Sequence, residues 1–228
     1  MENLLLKYME ESFHKGEPPQ GGPFPPFVTI SREYGCPSKL IGQLLVETIN
    51  KRAGRDFSER WRFINKEILE ESAHELQLPE MQIKTMLNAE KKGVVMDILT
   101  FSTSYGGSER IRKTLQRVIR AIAYTGHVVI IGRGGVAVTR DFPNSLHIKL
   151  QAPLEWRVKG ISEIHCITIE QARRAAGDID AKRANLIGNL LGKKAESSIF
   201  DVIYNCMYLT KEEIVQSILG LMEVKKMI

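Results

Sequence analysis

Residues 127–131 (HVVII) form a nearly unbroken apolar run. A strand of that composition has no polar face to show to water, so it has to be covered on both sides, as the central strands of parallel sheets are. Parallel neighbours require crossover connections, usually helices, and the chain supplies them in alternation. Phe27–Ser31 (FVTIS) reads as a strand, and Leu40, Ile41, Leu44, Leu45 and Ile49 then recur at helical spacing. A second short strand is expected at Trp61–Ile64, followed by helices over about 66–76 and, from Pro79, to about 90. A serine and glycine loop at 102–108 precedes a helix marked by Ile111, Leu115, Val118, Ile119 and Ile122, which runs to Tyr124 and is ended by Gly126. Leu146–Leu150 alternates like a strand before Pro153 opens the next helix, and Asp201–Asn205 completes about five strands. Thr168 with Gln171 and Thr210 with Glu213 are capping boxes that start two further helices. The pattern predicts an α/β protein of three layers, α/β/α, around a five-stranded, mostly parallel sheet.

At 228 residues the chain can bury one sizeable core with a lid-like or inserted subdomain. Residues 2–14 suit a short amphipathic helix, and 16–26 (GEPPQGGPFPP) form a proline and glycine linker, so 1–26 stand apart from a main domain at 27–228. Packing of 1–26 onto a partner chain would make an oligomer, and nothing in the sequence decides it. No apolar run approaches the roughly 20 residues of a membrane span. The N-terminus lacks a basic start and a small-residue cleavage site, so the chain is expected in the cytoplasm. Cys36, Cys166 and Cys206 are odd in number and widely spaced, which suggests reduced thiols and no zinc site. No two histidines share metal-ligand spacing, and they read as structural.

The net charge of +5 lies wholly in the second half, because residues 1–114 hold 16 basic and 16 acidic side chains and residues 115–228 hold 16 and 11. Within 173–194, Arg173, Arg174, Lys182, Arg183, Lys193 and Lys194 face only Asp178 and Asp180. Two readings of this stretch stand: an anion-binding surface, or a solvated helix face. Trp61 and Trp156 are scattered and not interleaved with the cluster, so a nucleic-acid stacking platform is not indicated.

In an open parallel sheet, ligands sit beyond the carboxyl ends of the strands, which directs attention to the turns after Ile30 and Ile131. The first, residues 31–39 (SREYGCPSK), leads from strand to helix, the setting in which backbone amides and a lysine hold phosphate. The strict pattern GxxxxGK[ST] is absent: Gly35 remains, Pro37 removes an amide donor, and Leu40 offers no hydroxyl to magnesium. An ordinary connection is the other reading. The second turn, Gly132-Arg133-Gly134-Gly135-Val136-Ala137, formally matches GxGxx[GA], but residues 141–144 (DFPN) break the chain too soon for a dinucleotide helix. Arg133 suits bidentate recognition of a phosphate or carboxylate, or pairing with a nearby acid in a tight turn.

Taken together, VTISREYGCPSKLIG, INKEIL, VVIIGRGGVAVTRDFPNSLHIKLQAPLEWRV, DIDAKRAN and FDVIYN resemble the cytidylate kinase-like family, in the same order over about residues 27–220. The resemblance implies a P-loop NTPase-like fold with a helical acceptor-binding segment, about 58–107, and a mobile basic lid, about 173–194. It implies ATP and Mg as cofactors, and a nucleotide donor with a small-molecule acceptor as partners. It makes 31–39 the donor phosphate loop, with Ser31, Arg32, Gly35, Cys36, Ser38 and Lys39 at the phosphates. It places Asn65, Lys66 and Arg133 at the acceptor, with Arg60 or Arg62 nearby, and makes Lys39, Arg133, Lys182 and Arg183 the catalytic cations; no residue is assigned to metal. Where true cytidylate kinases carry a lysine and a threonine, this chain has Ser38 and Leu40, with Lys39 one residue displaced. Lys39 either reaches the phosphates on its long stem or points away along the helix. Ile131 and Gly134 stand where acids flank the Gly-Arg pair in those enzymes, so cytosine recognition does not transfer. The expected activity is phosphoryl transfer to a nucleoside monophosphate or another small acceptor. Its alternative is a regulatory protein that binds a nucleotide or anion and has lost transfer.

Overall fold

A computed structural model describes residues 24–53, 60–65 and 108–228. In chain order these form β1 (Phe27–Arg32), α1 (Ser38–Ala53), β2 (Arg62–Ile64), α2 (Ser108–Thr125), β3 (Val128–Ile131) and α3 (Gly135–Thr139). They continue with β4 (Ser145–Gln151), α4 (Leu154–His165), α5 (Ile169–Leu191), a single 3-10 turn (Ser197–Ile199), β5 (Val202–Asn205) and α6 (Lys211–Val224). The readings at 2–14, 66–76 and 79–90, and Lys66 itself, lie outside the described residues.

The five strands form one sheet in the order β2-β3-β1-β4-β5, and every pairing is parallel. β1 is central, with Ile30 beside Ile131 on one flank and Ile148 on the other. Strand alternation sends Val28, Ile30, Val129, Ile131, Leu146 and Ile148 to a core shared with α1 and α6. Phe27, Val128 and Ile130 go to a second core beneath α2, α3 and the end of α5. The three-layer α/β/α architecture expected from the strand and helix alternation is the one observed, and it has the P-loop NTPase-like arrangement that the family resemblance implies.

Packing explains the details. In α1, Ile41, Leu45 and Ile49 recur every four residues and are fully buried, each contributing about 1.5–3 kcal/mol by leaving water. Leu40, part of the same periodic set, is 54% exposed. A Cβ on Gly42 would meet the Phe63 ring at 2.8 Å and Ile131 Cδ1 at 2.9 Å, so the missing side chain lets α1 close on the sheet. β2 is pinned to α1 by Asn50, whose amide accepts from Trp61 N–H at 2.9 Å and donates to Trp61 O at 3.0 Å.

Of the boundaries that shift from the sequence reading, three show what moves them. His127 has φ 49° and precedes β3 instead of starting it, because Gly126 (φ 64°) and His127 turn the chain beneath Pro25 and Pro26. His127 N–H donates to Pro26 O at 2.6 Å there. Pro153 is the residue before α4, not its first. Asp201 lies outside β5 and instead holds the neighbouring strand, exchanging hydrogen bonds of 2.7 Å with His147 through both its backbone N–H and its carboxylate. Both capping boxes form, at Thr168 with Gln171 and Thr210 with Glu213. Among the described residues, no helix is long and apolar enough to cross a membrane.

Candidate active site at the carboxyl ends of β1 and β3

The chain leaves β1 through Glu33-Tyr34-Gly35-Cys36-Pro37 and enters α1 at Ser38. Glu33 N–H donates to Leu150 O at 3.0 Å, and Cys36 N–H turns back to Glu33 O at 3.2 Å. Gly35 has φ 94°, and a Cβ there would lie 3.0 Å from Arg157 Cβ and 3.3 Å from Arg157 O. Only glycine permits both that backbone and that approach to α4.

Arg157 is buried, at 6% exposure, under this loop. Its Nε donates to Ala152 O at 2.9 Å, and its Nη1 donates to Tyr34 O at 2.9 Å and to Asp180 Oδ2 at 2.7 Å. Glu33 Oε2 lies 3.3 Å from its Nε, so two carboxylates share one guanidinium. Asp180, on α5, spends its other oxygen on Tyr34 N–H at 2.7 Å. A buried cation with this many acceptors is satisfied, which is the condition under which burying it is tolerable.

Arg183, one turn beyond Asp180, donates from Nη1 to Arg32 O at 3.2 Å. Its guanidinium stands 5.7 Å from the centre of the Tyr34 ring. Burial raises the Tyr34 phenol above its ordinary pKa, and the Arg183 charge opposes that rise. The Tyr34 hydroxyl reaches His165 Nε2 at 3.1 Å across stacked rings.

The turn after β3 packs against Arg32 and α5. Gly132, Arg133 and Gly134 have φ of 67°, 56° and 72°, three left-handed residues in succession. Arg133 is the costly one, by about 1–3 kcal/mol for a side chain in this region. A Cβ on Gly132 would sit 1.7 Å from Arg32 Nη1, and one on Gly134 would sit 2.2 Å from Leu190 Cδ1. The glycines therefore admit the Arg32 guanidinium on one side and α5 on the other. Helix α3 lasts only five residues, too short for the full helix that a dinucleotide fingerprint requires.

A pocket of about 270 Å³ opens beside these groups. Ser31, Arg32, Lys149 and Arg183 line it together with Glu33 and Asp180, and Ile187 and Phe200 give it an apolar side. Lys149 Nζ is 3.7 Å from Glu33 Oε1. Ser31, Arg32 and Arg183 from the sequence reading thus meet at one place. Gly35, Cys36 and Ser38 shape the adjoining loop, where Cys36 and Ser38 are buried. Arg133 and Asn65 stand at the ends of β3 and β2, whose residues Ile130 and Ile64 are paired. Lys39 and Lys182 are exposed on α1 and α5 and do not line the pocket.

The basic stretch 173–194 divides between its two readings. Arg173 pairs with Glu155 and Arg174 with Glu170 on the exposed surface, which is a solvated helix face, whereas Arg183 turns inward. Glu33, Tyr34, Lys149, Arg157 and Asp180 were not singled out in the sequence. The i, i+3 spacing of Asp180 and Arg183 was the one local signal available, since the other partners are more than a hundred residues from the loop or on another strand. His147 is structural: fully buried, it meets Thr29 Oγ1 at 2.8 Å, and burial lowers its pKa to about 4.

Residues 27–205 match the model of a family described as the cytidylate kinase-like family. No curated protein matches the chain. Among solved structures, an uncharacterised protein from Eubacterium ventriosum ATCC 27560 is similar at TM-score 0.63 and 17% identity, covering 87% of this chain and 98% of its own. Shikimate kinase from Bacteroides thetaiotaomicron is similar at TM-score 0.51 and 11% identity, with the same coverage of 87% and 98%. At these identities the two structures share the fold.

Proposed function

The chain belongs to the cytidylate kinase-like family, and on that premise we propose that it transfers the terminal phosphoryl group of ATP to a small acceptor, a nucleoside monophosphate first among them. One juxtaposition carries the reading. The Arg32 guanidinium lies against Gly132, and Arg183 donates to the Arg32 carbonyl, so arginines from β1 and α5 meet beside the carboxyl ends of β1 and β3. Phosphoryl transfer leaves the protein little covalent work; it positions the reactants and neutralises charge spread over the transferring oxygens. A single arginine placed for this is worth roughly 10³–10⁵ in turnover.

Arg32, Lys149 and Arg183 give the pocket three cations for phosphate and Ser31 adds a hydroxyl, beside the carboxylates of Glu33, Asp180 and Glu196. Among the described residues no three His, Cys, Asp or Glu side chains gather into a metal-ligating group. Mg keeps several waters and is held largely by substrate phosphates. ATP, when bound, supplies the phosphoryl group. In this reading Ser31 and Arg32 hold donor phosphates beside the loop of Gly35, Cys36 and Ser38. Arg183 neutralises the transferring group. Arg133 orients the acceptor with Asn65 at the end of the sheet, and Lys66, the next residue in sequence, is assigned to the acceptor with them. Lys39 and Lys182, which lie outside the pocket, swing in on their flexible stems when the nucleotide is bound.

The test is ADP release from ATP and Mg across a panel of nucleoside monophosphates with no-acceptor controls. Turnover confined to one acceptor supports transfer and identifies that acceptor.

A second reading has its own observation. Four amides of the loop are spent, Glu33 N–H on Leu150 O, Tyr34 N–H on Asp180, Cys36 N–H on Glu33 O and Ser38 N–H on Cys36 O, and Pro37 has none. A nucleotide-binding regulator with such a loop would be stabilised by ATP through mass action yet release no ADP with any acceptor.

A further inference from the structure

Two side chains of α5 grip the backbone after β1 with opposite polarity. Asp180 Oδ1 accepts Tyr34 N–H at 2.7 Å, and Arg183 on the next turn donates from Nη1 to Arg32 O at 3.2 Å. Asp180 Oδ2 accepts from the buried Arg157 at 2.7 Å, and Oδ1 stands 3.8 Å from Arg183 Nη1. One carboxylate is thus held by a loop amide and by guanidinium groups from α4 and α5. Backbone N–H together with arginine is the donor set that proteins offer to a phosphate oxygen. Here a carboxylate of the same chain sits in it.

The adjoining pocket is neutralised in the same way. Among the described residues that line it, the cations Arg32, Lys149 and Arg183 are matched by the carboxylates of Glu33, Asp180 and Glu196. A polyphosphate entering it meets this internal negative charge, and like charges at such range repel. Asp180 is the carboxylate that also holds the loop amide. Glu33 Oε2 accepts Ala152 N–H at 3.2 Å and lies 3.3 Å from Arg157 Nε, so the buried guanidinium keeps a counter-charge when Asp180 leaves it. Helix α5 is anchored on both sides of Asp180, by Ala172 and Ala176 packed with Val158 and Ile161 of α4, and by Leu186 and Leu190 in the second core. Departure of the carboxylate is therefore a rotation of one side chain, already 25% exposed, and not a swing of the helix.

We propose that Tyr34 N–H, Arg157 and Arg183 form an oxyanion site in which Asp180 is a built-in competitor, and that a polyphosphate binds by taking the place of its carboxylate. The displaced carboxylate turns to solvent, and Tyr34 N–H donates to a phosphate oxygen instead. Asp180 in this way holds affinity for the polyphosphate below what the cations alone would give. That the polyphosphate is the tail of a nucleotide rests on the proposed phosphoryl-transfer reading; the oxyanion site does not.

Calorimetric titration of the full chain with tripolyphosphate, and separately with ATP and Mg, compares the native protein with Asp180→Asn and Glu196→Gln. Asp180→Asn removes the competing charge at the loop, whereas Glu196→Gln removes a charge from the pocket without touching the loop. The expected result is tripolyphosphate binding at least about tenfold tighter in Asp180→Asn than in the native protein, and within about threefold of native in Glu196→Gln. A second readout needs no substitution: in native protein labelled with 15N-tyrosine, the Tyr34 amide resonance shifts as tripolyphosphate saturates. Equal or weaker binding by Asp180→Asn overturns the proposal, as does an equal gain in Glu196→Gln, which would assign the effect to the total charge of the pocket. An unmoved Tyr34 resonance at saturation, or no tripolyphosphate binding by any of the three proteins, overturns it too. If Asp180→Asn gains affinity for tripolyphosphate and none of the three binds ATP, the oxyanion site stands and the nucleotide reading of the pocket fails.

Discussion

Asp180 accepts the backbone N–H of Tyr34 at 2.7 Å across 146 residues of sequence, and its second oxygen accepts from Arg157 at the same distance. The carboxylate thus joins the loop after β1 to α4 and α5 at once. Arg183 is on the same turn of α5 and reaches the Arg32 carbonyl, so the position of α5 is felt directly at the carboxyl end of β1. The loop takes its order from two helices that follow β4 as much as from its own sequence.

Arg157→Ala leaves Asp180 and Glu33 facing one another without their shared cation, and frees the Ala152 and Tyr34 carbonyls. Removing one partner of a buried pair costs about 3–5 kcal/mol. Urea unfolding is expected to show a loss of that order with an unchanged slope, and Arg157→Lys, which keeps the charge but not the fork, is expected to fall between. A loss below about 1 kcal/mol in the alanine variant would mean that the loop is held by other contacts.

Two glycines give opposite expectations for the same change. Gly132→Ala puts a methyl group 1.7 Å from Arg32 Nη1 at a φ of 67°. It is expected to cost about 1–3 kcal/mol and, by displacing Arg32, to weaken ATP binding by about tenfold or more. Gly177→Ala, inside α5 with nothing within 4 Å of the new Cβ, is expected to add up to about 1 kcal/mol. Thermal melts with and without ATP measure both. Equal stability of the two variants, or unaltered ATP stabilisation in Gly132→Ala, would contradict the close approach of Arg32 to the turn.

Acid should destabilise the fold through His147. Its folded pKa is lowered to about 4 from the ordinary 6.5, chiefly by burial. The unfolded chain therefore binds a proton that the folded chain refuses between those values. The contribution is fully present above pH 6.5 and is lost as pH falls toward 4, about 3 kcal/mol in all. Urea midpoints measured from pH 7 to pH 4 are expected to fall more steeply in the native protein than in His147→Asn. Parallel slopes would show that His147 is protonated without cost in the fold.

Sequence periodicity carried the sheet, because apolar runs such as VVII and LHIKL and the two capping boxes report local physics. The turns after β1 and β3 drew attention to Gly35 and Arg133, and the family resemblance added Arg32 and, within the basic stretch of α5, Arg183. Sequence reading missed the Arg157–Asp180–Glu33 network, because each partner has an unremarkable neighbourhood and the link exists only once α4 folds over the loop. It placed His127 in β3 by composition, where the left-handed pair with Gly126 and the contact of Pro26 decide otherwise.

The most direct measurement compares ADP release by the native chain, Arg183→Ala and Arg183→Lys, with ATP, Mg and the best acceptor of the panel. If Arg183 neutralises the transferring group, kcat falls by roughly 10³-fold in the alanine variant and recovers in part with lysine, while KM for ATP changes little. Turnover by Arg183→Ala within about threefold of native, with its melting temperature unchanged, would contradict phosphoryl transfer at the meeting of β1, β3 and α5.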